Sequence, residues 1–247
     1  MIELHAFDDS RAQIDALARA VSDALDASLA AQVSPDVAAP AAAAAAAAGA
    51  PGARRATLAV SGGTSPRPFL AALSTHRFDW AHVDITLVDD RWVPDTDSAS
   101  NARLVHDTLL QNEAARARFL PLVDTSRTLD EQIAALNSDP RRLLPDVAIL
   151  GMGEDGHTAS IFADAPEWQE AITTSRPFVA VHPASAPHAR VSWSLAALRQ
   201  VGRLFLLIAG DSKLAVLQQA AASPQKNAIS KLANDNGVKL DVYWCAN

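Results

Sequence analysis

The chain has 247 residues, a formal net charge of -7 and 49% hydrophobic residues, enough for one large domain or two small ones with a sizeable core. The acidic balance disfavours a nucleic-acid backbone or an anionic membrane as partner, and no apolar run is long enough to span a bilayer. A lone cysteine, Cys245, excludes an intrachain disulfide framework and a multi-cysteine zinc site, and Met1 to Ser10 lacks the basic and apolar regions of a signal peptide, so a cytoplasmic protein is expected.

Ile2 to Phe7 alternates apolar and polar residues and predicts a short strand. Asp8, Asp9 and Ser10 then offer N-cap oxygens to a helix whose apolar stripe is Ile14, Leu17, Ala18, Val21, Leu25 and Leu29. Residues 33–53 hold Pro35, Pro40, the alanines from Ala41 to Ala48, Gly49, Pro51 and Gly52. They read as an exposed, flexible insertion, because alanine favours helix but the flanking breakers leave no amphipathic pattern. Thr57 to Val60 is an apolar strand ending in Ser61-Gly62-Gly63-Thr64-Ser65-Pro66, and Pro66 suits the first turn of a helix through Phe69, Leu70 and Leu73. Strand, glycine turn and helix N-terminus together can bind phosphate through backbone N–H groups and the helix dipole; a plain tight turn is the other reading. The Walker ending is missing.

Val83 to Val88 predicts the next strand, ending in Asp89-Asp90-Arg91-Trp92-Val93-Pro94, which alone reads as a solvated turn. Ser98 or Ser100 caps a helix through Leu104, Val105 and Leu109; Phe119 to Val123 reads as a short strand and Leu129 to Leu136 as a helix. Val147 to Leu150 is a buried strand that breaks at Gly151-Met152-Gly153-Glu154-Asp155-Gly156-His157. Phe178 to His182 and Arg190 to Leu195 are strands around a proline-rich turn, with Ser194 capping a helix from Leu195 to Gln200. Leu204 to Ala209 is strongly apolar and ends at Gly210-Asp211-Ser212-Lys213. Lys213 falls in the first turn of a helix, where the dipole does not favour a cation. A contacted anion explains that placement; a snorkelling surface lysine is the alternative. Val238 to Cys245 closes the chain as a strand. The alternation of strands and helices gives an α/β fold with a mostly parallel, Rossmann-like sheet flanked by helices, and no second domain boundary breaks residues 1–247.

The segment after Leu150 fits the G-x-G-x-x-G dinucleotide fingerprint, but the acidic residue required about twenty positions on is absent, and Arg176 stands near that place. No cofactor is expected. His157 lies two residues from Asp155, which can fix its tautomer, although a structural histidine is the commoner case. No second histidine lies at ligand spacing, so no metal is expected.

Four separated segments converge at this point: Ser61-Gly62-Gly63-Thr64, Asp89-Asp90-Arg91-Trp92-Val93-Pro94, Gly151 to Ser160, and Arg190-Val191-Ser192, with Gly210-Asp211-Ser212-Lys213 as a weaker fifth. The chain resembles the 6-phosphogluconolactonase family, within the glucosamine-6-phosphate isomerase/deaminase-like fold. The resemblance implies metal-free hydrolysis of 6-phospho-D-glucono-1,5-lactone to 6-phosphogluconate in the oxidative pentose phosphate pathway. It implies His157 as general base, oriented by Asp155. The phosphosugar is expected against Gly62, Gly63, Thr64 and Asp89, with Arg91, Arg190 and Lys213 as cationic partners. It also implies departures: Asp90 stands where the family usually has glutamate, and Ile161-Phe162-Ala163 where it often has Leu-Phe-Pro. A related glucosamine-6-phosphate deaminase would carry glutamate where this chain has Phe162 and tyrosine where it has Arg91. A sugar-phosphate sensor of this fold would carry a helix-turn-helix ahead of the domain, and none is expected before Ile2. Nothing in the sequence marks an oligomer interface.

Overall fold

The computed structural model describes residues 1–31 and 55–246, so the alanine-rich stretch expected at 33–53 lies outside the described residues. Its main sheet has strands β1 (Ile2–Phe7), β2 (Ala56–Val60), β3 (Val83–Leu87), β5 (Arg118–Phe119), β6 (Val147–Leu150), β9 (Arg203–Ala209) and β10 (Leu240–Cys245). Their spatial order is β1-β10-β9-β6-β2-β3-β5, and every pairing is parallel. The strands β4 (Asp89–Arg91), β7 (Phe178–Val181) and β8 (Arg190–Trp193) form a second, antiparallel sheet in the order β4-β8-β7.

The central strands are apolar without alternation because both faces are covered. All of Ala56–Val60 and all of Val147–Leu150 are buried. The helix Ser10–Ala31 starts where Asp9 Oδ1 accepts from Ala12 N at 2.8 Å, and its Leu17, Ala18, Val21 and Leu25 are buried. It packs on β1, β2, β6, β10 and the helix Arg67–Ser74. Ser100, Thr128, Ser194 and Asn227 cap the helices Asn101–Thr108, Leu129–Ser138, Leu195–Leu198 and Ala228–Ala233 through their side chains. Among the described residues, no helix is long and apolar enough to cross a membrane.

Two expectations change. The strand expected over Phe119 to Val123 is paired only at Arg118 and Phe119. Leu120 N still donates to Ile85 O at 2.8 Å, but Pro121 has no N–H to continue the ladder. The charged residues after β3 are not a solvated turn; they pair with β8 as Asp89↔Ser192, Asp90↔Val191 and Arg91↔Arg190. Val88 joins the two sheets, donating to Val60 O at 3.0 Å and accepting from Trp193 N at 3.1 Å. That junction sets β4 and β8 beside the carboxyl ends of the parallel strands, where open α/β sheets hold their ligands.

Candidate active site

The pocket at the strand ends has a volume of about 230 Å³. The turn after β2, the loop after β6, strands β4 and β8, and the start of the helix Asp211–Ala222 all line it. His157, Gly62, Gly63, Thr64, Asp89, Arg91, Arg190 and Lys213 all face this one cavity. Asp155 is outside the lining and reaches the site through His157.

The loop after β6 is built around His157. Ser61 Oγ donates to Ile149 O at 3.0 Å and accepts from Gly151 N at 2.9 Å, tying the ends of β2 and β6 together. Gly153 N donates to His157 O at 3.0 Å. A Cβ on Gly153 would lie 2.3 Å from His157 Nδ1 and 2.4 Å from Asp155 Oδ1, so only glycine lets the pair fold over the backbone. His157 Nδ1 lies 2.6 Å from Asp155 Oδ1. A carboxylate only accepts, so Nδ1 carries a proton, and in the neutral ring Nε2 holds the lone pair. The hydrogen bond from His157 holds the Asp155 carboxyl below the usual carboxylate range, against the opposing effect of burial.

The cations line the same pocket from other elements. Arg91 Nη1 donates to Ala99 O and to Asn101 Oδ1, both at 2.8 Å. Asn101 Nδ2 donates to Asp89 O at 2.9 Å, and a Cβ on Gly62 would lie 1.8 Å from Asn101 Oδ1. Asn101 therefore packs directly on the glycine turn and couples it to Arg91. Asn101 lines the pocket, yet at the first helical position after a serine cap it carries no sequence signal of a site. Asp89 Oδ2 accepts from Ser160 Oγ at 2.5 Å and lies 3.8 Å from Arg190 Nη1. Arg190 is 7% exposed, and its buried Nε has no hydrogen-bond partner among the described residues. Burial lowers the pKa of Arg190, while Asp89 pulls it up. Lys213 brings a further positive charge from its helix's first turn.

The glucosamine-6-phosphate isomerase/6-phosphogluconolactonase family model matches residues 8–241. The chain belongs to this family. Relatives of the lactonase branch are similar along most of the chain. A 6-phosphogluconolactonase of Neisseria meningitidis serogroup A is 44% identical over 195 residues, covering 76% of this chain and 84% of its own. One from Rhizobium meliloti is 40% identical over 248 residues, covering 98% of this chain and 97% of its own. The crystal structure of a 6-phosphogluconolactonase from Shewanella baltica OS155 superposes with a TM-score of 0.82 at 32% identity, covering 100% of this chain and 98% of that one. The family match spans every strand from β2 to β9 and so includes all the elements that build the pocket.

Proposed function

We propose that this pocket hydrolyses 6-phospho-D-glucono-1,5-lactone to 6-phospho-D-gluconate, with His157 as the general base. The observation that carries the reading is a histidine with Nδ1 tied to a carboxylate, facing the same cavity as a glycine turn and Arg91, Arg190 and Lys213. The similarity to named lactonases supports it. The turn Ser61 to Thr64 offers backbone N–H groups to the phosphate, with Arg91 and Lys213 neutralising its charge. Arg190 sits at the lactone end, where its guanidinium lines the cavity and can donate to a substrate oxygen. Asp89 holds Arg190 and Ser160 through Oδ2 and leaves Oδ1 to accept a sugar hydroxyl. We take residues 1–247 as one lactonase domain, since every element contributing to the site belongs to one strand-and-helix succession.

The reaction follows from these groups. His157 Nε2 takes a proton from a water as its oxygen bonds to C1 of the lactone. The carbonyl electrons move onto oxygen, where Arg190 stabilises the developing anion. Collapse breaks the bond from C1 to the ring oxygen, which leaves with the proton held by His157. The phosphate anchor fixes C1 relative to the base, which converts an encounter into a positioned attack. No group in this scheme needs a metal or a cofactor.

His157→Ala is expected to lower kcat by about 10²–10⁴, the usual contribution of a positioned base. Acid release from freshly prepared lactone, corrected for spontaneous opening, measures it. Turnover equal to wild type in the folded variant would sink the assignment of the base.

A further inference from the structure

A base that must meet water at one angle needs its ring restrained in more than one direction. The hydrogen bond to Asp155 holds one edge of the His157 imidazole, whose side chain is still 28% exposed. A second restraint comes from Phe162. Its ring lies against the imidazole with centroids 4.0 Å apart and planes 23° apart. The same phenyl ring carries the Arg190 guanidinium, with Cζ 5.1 Å from its centroid.

Phe162 is a fixed surface. It is 3% exposed, belongs to the hydrophobic core and does not line the pocket. The chain between the two aromatic residues is folded tightly to bring them together. Thr158 Oγ1 donates to Gly151 O at 2.8 Å, and Ser160 N donates to Ser192 Oγ at 3.1 Å. Ala159 adopts a φ of +48°, a left-handed conformation uncommon for a residue with a Cβ, and one that persists where the surroundings enforce it. Arg190 is held by longer polar contacts, including Asp89 Oδ2 at 3.8 Å from its Nη1. Its Nη1 donates to Ser160 Oγ and its Nη2 to Pro187 O, both at 3.4 Å. The phenyl face, together with Asp89, therefore sets where the guanidinium rests.

We infer that Phe162 is a positioning residue, a single aromatic platform that fixes both the plane of the His157 imidazole and the separation of that base from the Arg190 guanidinium. It acts through these two side chains and touches neither water nor substrate. The inference rests on the hydrolytic reading of the site. An aliphatic side chain would fill the same space but would offer neither a stacking face to the imidazole nor a negative π surface to the cation.

The test compares Phe162→Leu, Phe162→Met and Phe162→Tyr with wild type for kcat and KM on 6-phosphogluconolactone. Thermal unfolding and the imidazole ¹⁵N spectrum of His157 are recorded for each. The tyrosine variant keeps the ring and is expected within about threefold of wild-type kcat. The leucine variant is expected to lose about 10–100-fold in kcat with KM changed less than about threefold, because the contacts to the phosphate are untouched. Its imidazole resonances are expected to broaden and shift as the ring loses its fixed plane, while Asp155 still holds the Nδ1 proton. Methionine, unbranched and adaptable in a core, gives the same readout if the leucine variant unfolds. A folded leucine or methionine variant with kcat within about twofold of wild type overturns the inference. So does a folded tyrosine variant as slow as the leucine one. Wild-type protein that opens no lactone would instead overturn the hydrolytic reading, and the imidazole spectra would still decide whether Phe162 orders the ring.

Discussion

Arg91 shows how one side chain can be pre-set for a ligand. Two of its neighbours, Ala99 O and Asn101 Oδ1, are neutral acceptors, so its positive charge is oriented without being cancelled. Asn101 in turn rests on Gly62, which fixes Arg91 relative to the glycine turn. A phosphate in that turn would meet a guanidinium that has little left to reorganise. Hydrogen bonds to charged groups contribute about 1.5–3 kcal/mol each, so Arg91→Ala is expected to raise KM for the phosphorylated lactone by about 10–150-fold. KM for unphosphorylated gluconolactone should move by less than about threefold, since that substrate has no charge to lose. Initial rates on the two lactones decide the matter, and equal effects on both would mean that Arg91 does not read the phosphate.

At the scale of the element, the short strand β4 sorts three adjacent charges by the period of the pleat. Asp89 and Arg91 face the pocket, while Asp90 points away and is 1% exposed. Its Oδ1 accepts from Arg91 N at 2.8 Å and Asn101 N at 2.7 Å, and its Oδ2 from Ala102 N at 3.2 Å, so it anchors the start of the helix Asn101–Thr108. Burial nevertheless pushes its pKa from the ordinary 3.8 up to about 6, against the pull of those backbone donors. A carboxyl whose folded pKa lies above its unfolded value binds a proton more tightly when folded. Its contribution to stability is full below 3.8 and is lost as pH rises through about 6. Wild type should therefore lose stability relative to Asp90→Asn across that window, as read from urea midpoints at several pH values. A wild-type-minus-variant difference that stays flat with pH would refute the titration. This strand also marks the limit of what the sequence makes legible. Apart from β5, the parallel strands, the glycine turns and the serine caps at Ser100 and Ser194 are local signals and lie within about two residues of their expected bounds. The pairing of Asp89–Arg91 with Arg190–Trp193 joins segments about a hundred positions apart, and no local pattern states it. For the same reason the gathering of His157, Arg91, Arg190 and Lys213 in one cavity came from resemblance and not from spacing. Asn101 carries no local sign of a site because an asparagine beside a cap is ordinary, and Phe162 is marked in the sequence only as the place where a deaminase would carry glutamate, not as a support for His157.

For the molecule as a whole, the fold concentrates positive charge where the chain overall is acidic. The net charge is -7, yet Arg91, Arg190 and Lys213 share a pocket with Asp89. An anionic substrate is thus repelled by the average field and held only by the local one. These groups and the glycine turn after β2 belong to different parts of the architecture: strand β4 of the second sheet, strand β8, and the helix after β9. A bound phosphosugar would link elements from both sheets, so its binding energy would oppose unfolding of the whole assembly. A ligand at 100 times its Kd adds about 2.7 kcal/mol to the stability of the state that binds it. For a chain of this size that corresponds to a rise in Tm of about 5–10 °C. The product 6-phosphogluconate, stable where the lactone is not, should give such a shift in a thermal melt, and unphosphorylated gluconate at the same concentration a much smaller one. Added salt should shrink the shift by screening the phosphate contacts, which are electrostatic and partly open to solvent. Equal shifts from the two acids would show that the pocket holds the sugar chain rather than its phosphate. No shift with 6-phosphogluconate at any attainable concentration would mean that the cations around the glycine turn serve some other anion.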